Sequence, residues 1–254
     1  MDDLEVAVAA ARAGGAIVRD GFARSVIPKY KRQFDPVTAT DHSSEAAVLS
    51  VITERRPDDA ILAEESGGII PDGRLWIVDP LDGTVNFVHG IPQISVSVAL
   101  WEGDRPLAGV IYDPLRDECF SASADGGAYL NQRPIKVSPV ESLERSVAAT
   151  GFPYDHGDYA DEYAQVVGAV LASVNGIRRF GSAALDLAWV AAGRYDAFWE
   201  RELAAWDIAA GMLLVREAGG MVGALSEGPV LDSGNIVAAN AQIFDEFNRL
   251  LAEV

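Results

Sequence analysis

The sequence has a single cysteine, Cys119, so no intramolecular disulfide can form and a disulfide-stapled extracellular scaffold is excluded. Basic residues are scarce: 20 Lys and Arg stand against 38 Asp and Glu, a formal net charge of −18 over 254 residues. So acidic a chain repels nucleic-acid phosphates and anionic headgroups, and neither nucleic acid nor a membrane surface is expected as a partner. Long apolar runs are missing too. The longest stretch without Asp, Glu, Lys or Arg runs from Gly83 to Trp101, and Asn86, His89, Pro92, Gln93, Ser95 and Ser97 exclude it as a membrane span. The opening Met1-Asp2-Asp3-Leu4-Glu5 is neither basic nor apolar, unlike a secretory signal, and a cytoplasmic location is expected. No G-x-x-x-x-G-K-[ST] loop and no G-x-S-x-G elbow occurs, which leaves ATP-binding P-loop and serine hydrolase chemistry unsupported. His42, His89 and His156 lack metal-ligand spacing and read as surface or loop residues.

What is present is an ordinary globular balance, 49% apolar and 23% charged residues, with enough length to bury a large core unaided. Apolar spacing predicts helices over 3–19 and 43–56, the second capped by Ser43 or Ser44 and stopped by Pro57. A short strand over 59–63 should end at Glu64-Glu65. The centre is strand-rich: 75–78, 94–101 with a period of two, 107–112, 118–122, and a hairpin over 129–137. After about residue 138, strands and helices alternate, with helices over 161–173, 182–192, 207–217 and 241–252. No Pro/Ser-rich linker marks the change. A single catalytic domain, 1–254, is expected, with subdomains 1–137 and 138–254 that meet. Cys119 should be buried in its strand, Trp189, Trp199 and Trp206 should form core or pocket wall, and Tyr163, Val166, Val167 and Val170 should form a packing face.

Residues 76–87, WIVDPLDGTVNF, concentrate the chemistry. An apolar strand delivers Asp79 to its end, Pro80 bends the chain, and Asp82 follows three residues on. Gly83 permits a sharp turn from which Thr84 can begin a helix. Two carboxylates and the Leu81 carbonyl make a set of hard oxygen ligands, suited to magnesium, manganese or calcium. The Gly83 and Thr84 amides at a helix start favour a phosphate. Taken alone, the segment also reads as an Asp-Pro turn followed by an N-cap. Glu64, at a strand end, and Asp207, at a helix start, are two further acids at element termini, and one shared cation cluster accounts for all of them.

The segments ILAEESGG (61–68), WIVDPLDGTVNF (76–87), GSAALDLAWVAAGRYDAFWE (181–200) and WDIAAG (206–211), with VTATD (37–41) and GNIVAAN (234–240), resemble the inositol monophosphatase family in order and spacing. The resemblance implies a mixed α and β fold, a layered α-β-α-β-α sandwich of the sugar phosphatase type, commonly a homodimer and lithium-sensitive. It implies two or three Mg2+ ions. Glu64, Asp79 and the Leu81 carbonyl match the ligands of the first, Asp79, Asp82 and Asp207 those of the second, and Asp41 an acid near a weaker third. Glu64, Thr84 and Asp82 match catalytic positions, Thr84 and Glu64 aiming the attacking water. Gly83, Thr84, Gly181, Ser182, Ala183, Glu200 and Asp207 match substrate-binding positions, Glu200 accepting hydroxyl hydrogens of a polyol. Residues 201–205, beside Glu200, depart from the family pattern, and Lys29 and Lys31 both compete for a lysine at the site mouth.

The expected reaction is hydrolysis of a phosphate monoester by a metal-activated water, with inositol monophosphate as the leading substrate. Fructose 1,6-bisphosphate, NADP or histidinol phosphate is the alternative within the same chemistry. A regulatory interaction protein that keeps the fold without turnover is the alternative outside it.

Overall fold

The computed structural model describes residues 1–22, 24, 27–69, 73–153, 157 and 160–253, so His156 lies outside the described residues. Helices α1 (Asp3–Gly21) and α2 (Ala39–Arg55) flank a hairpin of β1 (Lys29–Arg32) and β2 (Asp35–Val37). Strands β3 (Ala60–Ala63), β4 (Gly67–Gly68), β5 (Arg74–Asp82), β6 (Ser95–Glu102), β7 (Arg105–Asp113), β8 (Glu118–Ser123), β9 (Gly127–Leu130) and β10 (Arg133–Pro134) form one sheet. Its order is β10-β9-β8-β7-β6-β5-β3-β4, and α3 (Thr84–His89) follows β5. Strands β11 (Val147–Thr150), β12 (Gly176–Arg178), β13 (Ala197–Glu200), β14 (Gly220–Ala224) and β15 (Ile236–Asn240) form a second sheet, ordered β12-β11-β13-β15-β14. Helices α4 (Ala160–Ser173), α5 (Ala183–Ala191), α6 (Ala205–Glu217), α7 (Val230–Ser233) and α8 (Phe244–Ala252) complete the chain.

The period of two along the strands sorts their side chains into separate cores. On one face of the first sheet Trp76, Val78, Val98, Leu100 and Val110 pack against α1 and α2 through Val6, Ala10, Val48 and Ile52. On the other face Leu75, Ile77, Ala99, Trp101 and Ile111 join Leu185, Leu187 and Leu214 of α5 and α6. That same cluster takes in Ala149, Phe198, Ile236 and Ala238 of the second sheet. The opposite face of the second sheet presents Ala148, Ala197, Trp199 and Val237 to Val166 and Val170 of α4 and Phe247 and Leu251 of α8. The layers therefore run α1/α2, sheet, α5/α6, sheet, α4/α8: the α-β-α-β-α sandwich that the family resemblance implies. Val166 and Val170 of the expected α4 packing face are spent inside this chain, and Cys119 is buried in β8.

Some local details differ from expectation, each for a physical reason. Helix α2 starts at Ala39 rather than near Ser43, because Thr38 and Asp41 form a capping box: Thr38 Oγ1 accepts from Thr40 N–H (3.1 Å) and Asp41 accepts from Thr38 N–H (2.8 Å). Ser44 instead donates to the Pro80 carbonyl (2.7 Å), tying α2 to the Asp79–Asp82 segment. The β1–β2 hairpin had no sequence signal, since Lys29-Tyr30-Lys31-Arg32 is exposed at every position and shows no alternation. Strand β5 continues past Pro80 to Asp82. Its register with β6 slips there, Asp79 pairing with Ser97 and Asp82 with Ser95, so an extra residue bulges where proline offers no donor.

Glycines in α1 permit close packing. A Cβ at Gly15 would lie 2.4 Å from the Tyr112 ring, which is buried and donates its hydroxyl to Asp117. Exposed Gly168 in α4 has open space around its Cβ direction. Overpacking costs about 1–3 kcal/mol and alanine gains about 1 kcal/mol of helix propensity over glycine. Urea unfolding is therefore expected to show Gly15→Ala destabilised and Gly168→Ala stabilised by about 0.5–1 kcal/mol; the same sign for both would contradict the packing assigned to α1.

Candidate active site

The β5 bulge carries Asp79 and Asp82 to the end of the first sheet. Asp207 reaches the same place from the first turn of α6, and one oxygen from each of the three carboxylates lies within 4.8 Å of the others. Each carboxylate is anchored through one oxygen. Asp79 Oδ1 accepts from Leu81 N–H (2.9 Å), and Asp207 Oδ2 accepts from Ala204 N–H (2.7 Å). Asp82 Oδ2 accepts from Ser182 Oγ (2.5 Å), Ala184 N–H (3.0 Å) and Ser95 Oγ (3.3 Å). Three side chains, each fixed through an oxygen, are thereby held close to one another.

Glu64 joins this group from β3. That strand runs parallel to β5 with Ala63 opposite Val78, and Glu64 N–H donates to the Val78 carbonyl (3.1 Å). The Glu64 carboxylate is bound by Lys31 Nζ (2.9 Å), which also holds Glu65 (2.7 Å). Of the two hairpin lysines it is Lys31 that reaches these acids. Asp41 lies apart from the triad, behind Thr84. Its Oδ1 accepts from Thr84 Oγ1 (2.9 Å), and its Oδ2 accepts from Thr38 Oγ1 (2.6 Å) and N–H. Leu81 is buried between the two aspartates, and its carbonyl stands 3.0 Å from Thr84 Oγ1.

Of these groups Asp82, Thr84 and Asp207 line a cavity of about 500 Å³, whereas Asp41, Glu64, Asp79 and Leu81 do not. It brings together Asp82, Gly83, Thr84, Gly181, Ser182, Ala183, Glu200 and Asp207 from the residues singled out in the sequence. Gly83 stands at φ 89°, the left-handed turn that starts α3. Asn86 of α3 donates its amide to the carbonyls of Gln93 (2.8 Å) and Phe180 (2.7 Å), so the Phe180-Gly181 segment is fixed to the first half of the chain. The Ser182 hydroxyl is turned onto Asp82, while its neighbours wall the cavity. His89 also lines it. Residues that sequence reasoning did not single out complete the walls: Tyr30 and Phe34 from the hairpin, Gly151 and Phe152 after β11, and Arg179, whose guanidinium lies over the Phe152 ring (5.5 Å). Nothing in their local sequence distinguishes them.

Electrostatically the site is a concentration of negative charge out of water. Burial pushes Asp79 well above the usual carboxylate range, and the charges of Glu64, Asp82 and Asp207 push the same way. Asp207 is raised by burial and by Asp82 and Glu64. Burial raises Asp82 to about 6 against the opposing hydrogen bonds of Ser182 and Ala184. Glu64 rises to about 7 through burial, with Lys31 pulling it down. Glu200 is pushed up to about 8 by burial, with Arg179 opposing and Asp82 adding. Anchored carboxylate oxygens that repel one another fit a hard divalent cation, which would relieve the repulsion; with no thiolate and no histidine in the set, magnesium or calcium suits it better than zinc.

Layered helices and sheets that gather acidic side chains beside one pocket define the class of this protein. The chain matches the inositol monophosphatase family over residues 2–254 and belongs to it. It is 44% identical to the inositol-1-monophosphatase of Synechocystis sp., over 98% of this chain and 88% of that protein. It is 42% identical to the Nus factor SuhB of Pseudomonas aeruginosa, over 95% of this chain and 92% of that one. The crystal structure of the extragenic suppressor protein suhB from Bartonella henselae superposes with a TM-score of 0.91 at 44% identity, covering 97% of both chains.

Glu200 gives a pH test. Unfolded, its carboxyl ionises near the ordinary 4.5; folded, near 8. Between those values the folded state holds the extra proton, so stability falls as pH rises, and the full penalty is present above pH 8. In metal-free protein, urea unfolding is expected to find Glu200→Gln equal to wild type below pH 4.5 and increasingly more stable up to pH 8, by at most about 5 kcal/mol. A pH-independent difference would refute the assigned burial.

Proposed function

We propose that the protein is a divalent-cation-dependent phosphomonoesterase acting on inositol monophosphate or a closely similar polyol phosphate. The observation that carries this reading is the convergence of Asp79, Asp82 and Asp207 on one point, beside Glu64 and Thr84 and beneath a pocket walled by Glu200. Glu64, Asp79 and the Leu81 carbonyl would hold one magnesium ion, and Asp79, Asp82 and Asp207 a second. Asp41 adjoins the weaker third position that the family pattern implies. Bound there, the ions supply positive charge for the phosphoryl oxygens and acidify a water, which a phosphate monoester dianion needs because it repels its nucleophile.

The chain's own groups do the rest. Asp41 accepts the Thr84 hydroxyl hydrogen, leaving the Thr84 oxygen lone pairs to accept from an attacking water. Glu64 orients the same water and takes its proton as the water oxygen bonds to phosphorus; the ester P–O bond breaks, and the departing alkoxide takes a proton from solvent water. The Gly83 and Thr84 amides, at the start of α3, face the phosphate. Backbone atoms of Gly181, Ser182 and Ala183 line the leaving-group side, and Glu200 meets ring hydroxyls there. The reading includes one catalytic unit with halves 1–137 and 138–254, a homodimeric assembly, lithium sensitivity and a cytoplasmic location. No helix among the described residues is long and apolar enough to cross a membrane.

A second reading, as an interaction protein, is favoured by the name Nus factor SuhB among relatives at 42% identity. Under it the net charge of −18 disfavours direct contact with nucleic-acid phosphates, so a protein partner is the form proposed.

Phosphate release with magnesium across inositol 1-phosphate, fructose 1,6-bisphosphate, histidinol phosphate and NADP separates the readings; no release on any ester defeats the first. Asp82→Asn is expected to lower kcat by about a thousandfold or more, a neutral amide being a poor magnesium ligand, with the far-UV circular dichroism unchanged. Near-normal turnover in that variant would overturn the ligand assignment.

A further inference from the structure

Gly151 follows β11 and Glu200 ends β13, two parallel neighbours in which Thr150 stands opposite Trp199. The Thr150 hydroxyl donates to the Trp199 carbonyl (2.8 Å), which locks the two strand ends together. A Cβ placed on Gly151 would lie 2.2 Å from Glu200 Oε1, 2.3 Å from Oε2 and 2.4 Å from Cδ. The carboxyl group therefore occupies the space that any other residue at 151 would fill. The obstruction is steric alone, because the Gly151 backbone is not in the left-handed region. Glu200 is nine-tenths buried, lines the cavity, and has no hydrogen-bond partner among the described residues. No hydrogen bond among the described residues fixes this carboxyl group; it packs directly against Gly151, with the charge of Arg179 attracting it and that of Asp82 repelling it.

We propose that Gly151 is the positioning residue that seats Glu200 in the pocket wall, and so sets the preference for a leaving group that carries hydroxyls. The proposal rests on the phosphatase reading and deepens it. A methyl group at 151 drives the Glu200 carboxyl out of its seat. The pocket then loses its acceptor for ring hydroxyls, while the acids beneath the phosphate keep their anchors on Leu81, Ser182 and Ala204. A site that hydrogen-bonds a substrate hydroxyl discriminates strongly through that bond. The loss should thus fall on hydroxyl-bearing esters and spare esters without hydroxyls.

The test compares kcat/KM on inositol 1-phosphate with that on p-nitrophenyl phosphate, whose leaving group has no such hydroxyls. The variants are Gly151→Ala, Glu200→Ala, both together, and Gly151→Ala with Glu200→Asp. The ratio is expected to fall at least tenfold in Gly151→Ala, chiefly through KM, and to fall no further when Glu200→Ala is added. Glu200→Asp, shorter by one methylene, draws the carboxyl back from the new methyl and should restore part of the ratio. An unchanged ratio in Gly151→Ala, or additive losses in the double variant, would overturn the proposal. Should Gly151→Ala not fold, the double variant Gly151→Ala with Glu200→Asp relieves the clash and is assayed against Glu200→Asp alone; equal ratios there support the seat, and a further tenfold fall overturns it. Wild type inactive on both esters refutes the phosphatase reading alone. In that case a crystal structure of Gly151→Ala decides: Glu200 displaced supports the seat, and Glu200 unmoved refutes it.

Discussion

Mutual repulsion among buried carboxylates is the constraint around which this structure is arranged. Asp79, Asp82 and Asp207 present oxygens within 4.8 Å of one another, with Glu64 alongside. Left to themselves, such groups would separate or take up protons. They stay because each is tied by one oxygen to donors of its own: the Leu81 amide, the Ser182 hydroxyl with the Ala184 amide, and the Ala204 amide. For Asp82 and Asp207 these donors lie at the starts of α5 and α6, where the helix dipole also favours a negative charge.

The layering explains why those donors are available. Helices α5 and α6 fill the middle layer and share one core with both sheets, so their N-termini open at the level where β5 and β13 end. Asp82 belongs to the first sheet, Ser182 and Asp207 to the middle layer, and Glu200 to the second sheet. The pocket is thus a product of the whole sandwich. Asn86, donating to the Phe180 carbonyl, and Ser182, donating to Asp82, stitch the two halves together. Ser44, in the outer helix layer, holds the carbonyl of Pro80 from behind. A strand interrupted by proline would be a defect in most sheets; here it frees the residues that must turn toward the pocket.

How far the sequence could be read follows from which signals are local. Periodicity located α1, β6, β7, β8 and α6 closely, because each buries one face against a large core. It placed the start of α2 four residues late, since Ser43 and Ser44 look like caps and the true cap, Thr38, is recognisable only once Asp41 is seen closing the box. It passed over the β1–β2 hairpin entirely. That exposed ribbon earns its place through Lys31, which reaches Glu64 and Glu65 across more than thirty residues of chain. Lys29 and Lys31 were equivalent as sequence.

By itself the sequence determined which oxygen-bearing groups are candidates for the site: Asp79, Leu81 and Asp82 on a proline-interrupted strand end, Glu64 and Asp207 at other termini, and a resemblance specific enough to name the family. These are matters of residue type and short-range geometry, which a linear string records. Only the tertiary structure decided that Asp41 turns its oxygens onto Thr38 and Thr84, that Ser182 spends its hydroxyl on Asp82, and that Gly151 lies against Glu200. Those contacts join residues dozens of positions apart. Steric exclusion and hydrogen-bond direction act through space, and the order of residues along the chain carries no trace of them.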